Sequence, residues 1–276
     1  MQKISIASPL FLLREKCKDN LYGVLSRIAA LGFDGVEFLG FFGKPPEEIA
    51  QHIKNIHLTA LGNFVELGEL VSNLDGVIGA HKTLGCKYIT LGRLSREFLP
   101  DGEKYESAVS AIKDAAQALN ENGIQLLFHN HDGEFYKTAS GQIALDRILS
   151  DIPALKLEPD IGWMQIAGAE PAHYLTEYKE RCPVMDFKDY YADDGADIGK
   201  VSDMDGMRGG LNQAHFCFRP VGYGVVNYPV LITPAMACKP EWIVCDHDNS
   251  YENDPFDDLA LSLSYTRSLT RMAENY

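Results

Sequence analysis

Eight short apolar runs recur along this chain, and segments with a helical period lie between them. The runs are Ile4–Ser8, Gly35–Gly40, Leu58–Glu66, Tyr88–Gly92, Gln125–His131, Leu155–Gly162, Val184–Tyr190 and Trp242–Asp248. Each is too short for a buried helix and nearly continuous in hydrophobicity, as in a strand covered on both faces. Asn20–Leu31 ends at Gly32, a C-cap signal. Pro46–Lys54 begins with Pro and two Glu, which suit a helix N-terminus. Tyr105–Asn120 is the clearest amphipathic helix, and Gly141–Leu149, Pro171–Tyr178 and Pro255–Arg271 follow the same plan. Alternating strands and helices imply a parallel sheet with right-handed crossovers. Eight such units in 276 residues predict an α/β fold, a closed (β/α)8 TIM barrel forming a single domain over residues 1–276. The competing open, doubly wound sheet usually places a Gly-rich phosphate turn after its first strand. Here Ser8-Pro9-Leu10-Phe11 follows, and the chain has no GxGxxG or GxxxxGK[ST].

The seventh and eighth runs stand far apart. Pro229–Ala237 supplies the intervening helix, which leaves a long loop over 191–224 on the face where such barrels do their chemistry. The net charge of −14 makes the chain a poor partner for nucleic acid or an anionic membrane, and its Lys and Arg are scattered. No stretch is long and apolar enough to span a bilayer, and no secretory leader is expected at Met1–Pro9. The six cysteines form no CxxC pair and do not suggest a disulfide scaffold, so a reducing, cytoplasmic location is expected. Nothing in the sequence sets an oligomeric state.

Barrel chemistry sits at the C-terminal ends of the strands, so polar strand ends are the candidates. They are Glu37; Asn63 and Glu66; His129-Asn130-His131-Asp132-Gly133-Glu134; Glu158-Pro159-Asp160; Asp186, Lys188 and Asp189; and Asp246-His247-Asp248-Asn249. Carboxylates converging on one mouth repel unless a proton or cation neutralises them, and oxygen-rich ligands with an occasional His suit Mg or Mn.

These segments carry a resemblance. GFDGVEF (Gly32–Phe38) is similar to "lG(f/y)dgVE", FHNHDGEF (Phe128–Phe135) to "YHNHdxEF", and LEPDIGWMQIAG (Leu157–Gly168) to "lDtgWxxxAG". FKDY (Phe187–Tyr190) matches "HxKDy", VGYGVVNYPVL (Val221–Leu231) resembles "vGeGxxDwpxil", and WIVCDHDNS (Trp242–Ser250) resembles "wxvvEqDxs". The chain thus resembles the xylose-isomerase-like TIM barrel superfamily over roughly residues 3–270, and within it the sugar phosphate isomerase/epimerase group, with inosose dehydratase and keto-sugar epimerase relatives. That resemblance implies a divalent metal, Mn or Mg, held at strand ends five to eight. The matching positions are Glu134, Asp160, Asp186 and Asp246; for the fifth strand the alternative is a group nearer His129. Asp186 stands where the group has His, Asp246 where it has Glu, Tyr223 where it has Glu and Asn227 where it has Asp. Asp186 and Asp246 remain oxygen ligands, so the expectation is a re-tuned site; the other reading is a barrel that binds sugar without catalysis.

A metal in the mouth would chelate a sugar carbonyl and its neighbouring hydroxyl while a base removes the carbon-bound proton. The candidate bases are His129, His131 and Glu134. Lys188 is either an oxyanion or hydroxyl partner or a member of an ion network with Asp160, Asp186 or Asp189. Glu37, Asn63, Trp163, Arg208 and His215 are candidate substrate contacts, Trp163 for stacking on a sugar ring. Phe41 and Phe42 either line the pocket or cover it. The expected function is a metal-dependent sugar or keto-sugar isomerase/epimerase. The alternatives are a lyase or dehydratase on an inosose or 3-keto-glycoside, and a non-catalytic sugar-binding barrel. No basic phosphate clamp is visible, which points to an unphosphorylated substrate.

Overall fold

The computed structural model describes residues 4–194, 196 and 215–273. Its main sheet contains eight parallel strands. They are β1 (Ser5–Pro9), β2 (Gly35–Leu39), β3 (Thr59–Val65), β4 (Tyr88–Leu91), β5 (Gln125–His129), β6 (Lys156–Glu158), β7 (Val184–Phe187) and, last in the chain, Trp242–Cys245. Seven of the eight expected runs contain one, and Ile4–Ser8 overlaps β1, which extends one residue further to Pro9. The spatial order runs from β6 back through β1, then to Trp242–Cys245 and β7. The ring closes between β6 and β7 through a single parallel bridge, Asp160 to Asp186, with the Asp186 N–H donating to the Pro159 carbonyl at 3.0 Å. Pro159 has no N–H to donate, so this seam is the thinnest in the barrel. It also carries two of the expected metal ligands.

Side chains alternate between the two faces of the barrel wall. Outward, Ile6, Val36, Phe38, Ile89, Leu126, Phe128, Leu157, Met185 and Ile243 pack against the helices in the main core. Inward, Ala7, Leu61, Tyr88, Leu127, Val184 and Val244 form an apolar floor, with Trp242 against it. Two residues further along each of those strands, the inward positions are Pro9, Asn63, Thr90, His129, Asp186 and Asp246. The pleat therefore changes the interior from apolar to polar in one step.

Most helices form where expected: Pro46–Asn55, Tyr105–Glu121, Ala144–Asp151, Pro171–Glu177, Tyr228–Ala237 and Pro255–Ala273. The first, Arg14–Leu31, starts six residues before the expected Asn20. Asn20 itself is non-helical (φ −153°, ψ 78°) and its Oδ1 accepts from the Gly23 N–H at 3.0 Å, so it caps the second half.

The loop expected over 191–224 is only partly a loop. β8 (Asp189–Ala192) and β9 (Phe216–Arg219) pair antiparallel, from Asp189 opposite Arg219 to Ala192 opposite Phe216. The seventh run, expected to reach Tyr190 as one strand, is therefore two strands that belong to different sheets, separated by Lys188. Arg208 and the glycines 199, 206, 209 and 210 lie outside the described residues.

Candidate metal centre and active-site mouth

His129, at the end of β5, brings Nδ1 to 2.8 Å from Asp186 Oδ2 and Nε2 to 3.7 Å from Asp160 Oδ2. His129, Asp160, Asp186 and Asp246 each offer one ligand atom, and those atoms lie within 4.8 Å of one another. All four residues are buried. Asp160 Oδ2 and Asp186 Oδ1 make no hydrogen bond among the described residues, and the close His129 Nδ1–Asp186 Oδ2 pair is not aligned for one. Buried polar atoms are normally paired, so these orphaned donors fit a cation among them. Three carboxylates and an imidazole form a donor set for a divalent cation.

Local geometry holds these groups in place. Asp160 caps the helix Ile161–Ile166, its Oδ1 accepting from the Trp163 N–H at 2.8 Å, which leaves Oδ2 for the site. Asn130 clamps the Asp160 backbone: its Nδ2 donates to the Asp160 carbonyl at 3.3 Å and its Oδ1 accepts from the Asp160 N–H at 3.1 Å. The Lys188 ammonium, fully buried, donates to Asp246 Oδ2 at 2.5 Å and to Asp248 Oδ1, and lies 3.5 Å from Asp160 Oδ2.

The electrostatics follow from burial. Desolvation pushes the Asp160 carboxyl up to about 7, with Lys188 and His129 opposing it. Desolvation, then the charges of Asp246 and Asp160, carry Asp186 well above the usual carboxylate range. Asp246 is also raised by desolvation, but the Lys188 ammonium outweighs it and leaves this carboxyl below its ordinary value. Lys188 is disfavoured by burial, yet Asp246, Asp248 and Asp160 hold its ammonium well above the ordinary lysine range.

Above the cluster, a cavity of about 160 Å³ opens to solvent. Leu10, Phe11, Phe38, Phe64 and Trp163 supply apolar wall, while Glu37, Glu66, Arg93, Asp132 and Asp248 supply polar wall. His129 and His131 face it, their rings 4.9 Å apart, and the Trp163 ring lies 5.7 Å from that of His131.

The structure sorts the expected site residues. Asp160, Asp186 and Asp246 come together. The group from the fifth strand that joins them is His129, not Glu134. Glu134 is buried in the loop beyond β5, where its Oε2 accepts from the His131 N–H at 2.8 Å and its carbonyl from the Leu145 N–H at 2.8 Å. This carboxyl shapes the turn that carries His131, which also places it outside the cavity wall. Of the two roles open to Lys188, its contacts are those of the ion network, with Asp246, Asp248 and Asp160 as partners. Glu37 and Trp163 line the cavity. Asn63 is buried and its Oδ1 is taken by the Gly40 N–H at 2.8 Å. His215 lies away from the cavity wall, its Nδ1 2.9 Å from Asp193 Oδ1, with the side chain 42% exposed. Phe41 and Phe42 pack against the core as cover. Arg93 and Thr90 were not expected, and Asn130 and Asp248 stood among the polar strand ends without an assigned role. Asp248 stands two residues beyond Asp246 on the same face, so the strand alternation contained its signal; Arg93 lies beyond β4, outside any periodic pattern.

A (β/α)8 barrel with a buried cluster of three carboxylates and a histidine at its C-terminal mouth is the class of protein that this fold and site define. A family model, the xylose isomerase-like TIM barrel, matches residues 25–269, and the chain belongs to that family. An inosose dehydratase from Geobacillus kaustophilus (strain HTA426) is 25% identical over 193 residues, which is 60% of this chain and 61% of that relative. The match thus spans less than two thirds of the relative's length. A sugar phosphate isomerase/epimerase from Parabacteroides distasonis ATCC 8503 superposes with a TM-score of 0.74 at 15% identity, covering 95% of this chain and 97% of that one. A xylose isomerase-like TIM barrel protein from Mycobacterium smegmatis, in complex with magnesium, superposes with a TM-score of 0.67 at 16% identity, over 97% and 96% of the two chains. At these identities the two structures establish a shared fold. No helix among the described residues is long and apolar enough to cross a membrane.

Proposed function

We propose that the chain is a divalent-metal-dependent isomerase or epimerase of a sugar or keto-sugar, working by proton abstraction beside a carbonyl. The convergence of His129, Asp160, Asp186 and Asp246, with buried ligand atoms left unpaired, is the observation that carries this reading. A bound Mg or Mn ion supplies Lewis-acid polarisation of the carbonyl and the neighbouring hydroxyl.

The chain's own groups do the rest. His131 faces the cavity and its Nδ1 makes no hydrogen bond among the described residues. Burial, aided by the charges of His129, Lys188 and Arg93, keeps its imidazole well below the ordinary histidine range. It is therefore neutral at pH 7, the form that accepts a proton. The Glu134 carboxyl holds the His131 backbone and fixes where that imidazole stands. Lys188 orients Asp246 and Asp248 and favours the ionised form of Asp246. Trp163 offers a flat face to a sugar ring. Among the described residues the cavity wall carries five carboxylates and one arginine, a field that favours an unphosphorylated substrate over an anionic one.

Loss of a leaving group after the same abstraction gives a dehydratase or lyase, and the 25% identity to an inosose dehydratase favours keeping this second reading. The test is exchange of the carbon-bound proton in deuterated water, followed by NMR over a panel of keto-sugars and inososes. The metal-loaded protein is expected to exchange deuterium into one of them, with epimer or dehydrated product deciding the outcome. His131→Ala is expected to slow exchange by about 10²–10⁴-fold while retaining metal. Metal bound with no exchange into any of these substrates would leave a sugar-binding barrel in place of an enzyme.

A further inference from the structure

The cavity above the four-residue cluster has two unlike flanks. From β5 onward it is polar, lined by His129, His131, Asp132, Asp246 and Asp248 alongside Trp163. From the segment after β1, from β2 and from β3 come Phe11, Leu39 and Phe64. These three residues are half-buried, so each keeps apolar surface that a ligand can cover. Two carboxylates stand on the same flank. Glu37 is buried, with an oxygen within 4.8 Å of others from Glu158 and Asp186, and Thr90 Oγ1 lies 3.4 Å from its Oε1. Glu66 is exposed.

The apolar flank is held in place by its neighbours. The Arg14 guanidinium lies 4.4 Å from the centre of the Phe11 ring, and it donates to the Phe11 carbonyl at 2.7 Å and to the Asp248 carbonyl at 3.2 Å. Arg14 thus covers one face of that ring and ties the segment after β1 to the segment after the last strand. The Phe64 ring meets the His129 ring at 74°, with centres 5.3 Å apart. A Cβ on Gly92 would lie 3.1 Å from Phe64 Cδ1, so the glycine leaves the room that this ring occupies.

A sugar held at the polar flank turns its remaining substituents towards Phe11, Leu39 and Phe64. A hydroxyl placed there loses water without gaining a partner, whereas an apolar group gains by burial. Aromatic rings also pair favourably in offset and edge-to-face arrangements, which two phenylalanines can offer.

We propose that the substrate is a keto-sugar joined to an aromatic aglycone, and that Phe11, Leu39 and Phe64 set this specificity. The inference rests on the proposed function, which puts a keto-sugar in the cavity, and names the class of that sugar. Arg14 is a positioning residue that fixes the Phe11 ring.

The experiment is isothermal titration calorimetry of the full chain, loaded with Mn, against methyl and phenyl 3-keto-glucoside. The phenyl glycoside is expected to bind about 10–100-fold more tightly than the methyl one. Phe11→Ala and Leu39→Ala are each expected to reduce that ratio severalfold, and Phe11→Tyr to keep it. Circular dichroism checks that each variant is folded; should Phe11→Ala not fold, Leu39→Ala carries the comparison. Equal affinity for the two glycosides in the parent overturns the aromatic aglycone and leaves the proposed function standing. A phenyl preference that neither alanine substitution reduces overturns it too, since the ring then lies elsewhere. Binding of neither glycoside, with deuterium exchange into a free keto-sugar or inosose, has the same meaning. Absence of both binding and exchange defeats the proposed function as well.

Discussion

Glu134 shows how one buried carboxyl can be a positioning group and a pH sensor at once. Burial raises it to about 7, with the His131 N–H pulling the other way and Asp132 adding to the rise. The folded state therefore holds this proton more tightly than the unfolded chain, whose carboxyl titrates near 4.5. Its contribution is fully present below pH 4.5 and is lost as the pH rises towards 7. A shift of this size corresponds to about 3 kcal/mol. Glu134→Gln keeps an acceptor for the His131 N–H and carries no charge. Its stability is expected to fall less than the parent's between pH 5 and 8, by that order, in urea unfolding at each pH. Parallel pH profiles would show that Glu134 does not ionise at a buried site. The same residue marks a limit of sequence reading. Motif resemblance made Glu134 a metal candidate, whereas strand alternation puts His129 on the inward face with Leu127. Asp160, Asp186 and Asp246 were legible because position at a strand end suffices to place them. Glu158 was visible at its strand end too, but its meeting with Glu37 across the barrel depends on closure, which no local pattern encodes.

At the scale of elements, the segment after β9 is organised by one side chain. Asp189 Oδ1 accepts from the N–H groups of Tyr190 (2.9 Å) and Val226 (3.0 Å), and Oδ2 from those of Gly222 and Gly224 (both 3.0 Å). The glycines are required by contact. A Cβ on Gly224 would lie 2.2 Å from Asp189 Oδ1, and one on Gly222, at φ +86°, 2.4 Å from the Tyr265 ring. Tyr223 between them is exposed. Asp189→Asn would turn an amide NH₂ against two backbone donors, and is expected to cost about 2–4 kcal/mol in urea unfolding. A loss under about 1 kcal/mol would mean that the segment holds its shape without Asp189. Element prediction failed where composition blurs the period. The helices Leu67–Ser72 and Leu74–Leu84 include Gly68, Gly76 and Gly79, which dilute a helical signal. Ile161–Ile166 continues the apolar run of β6, and a short apolar run does not distinguish strand from helix. β8 and β9 sit in a stretch whose glycines read as loop.

At the scale of the whole molecule, fold and site share one cause. The inward pleat that builds the apolar floor also delivers Asn63, Thr90, His129, Asp186 and Asp246 one step higher. The barrel closes where Asp160 meets Asp186, so the seam and the candidate metal centre are the same place. A cation there would neutralise the carboxylates and join β5, β6, β7 and the last strand through their ligands. The central claim is that His129, Asp160, Asp186 and Asp246 hold a divalent cation. The most direct measurement is anomalous diffraction from crystals grown with Mn, recorded at energies on either side of the Mn absorption edge. The account predicts an anomalous peak at the mouth with these four side chains at ligand distances of about 2.0–2.6 Å. A fully occupied Mn elsewhere, with Lys188 alone balancing the four-residue cluster, would contradict it.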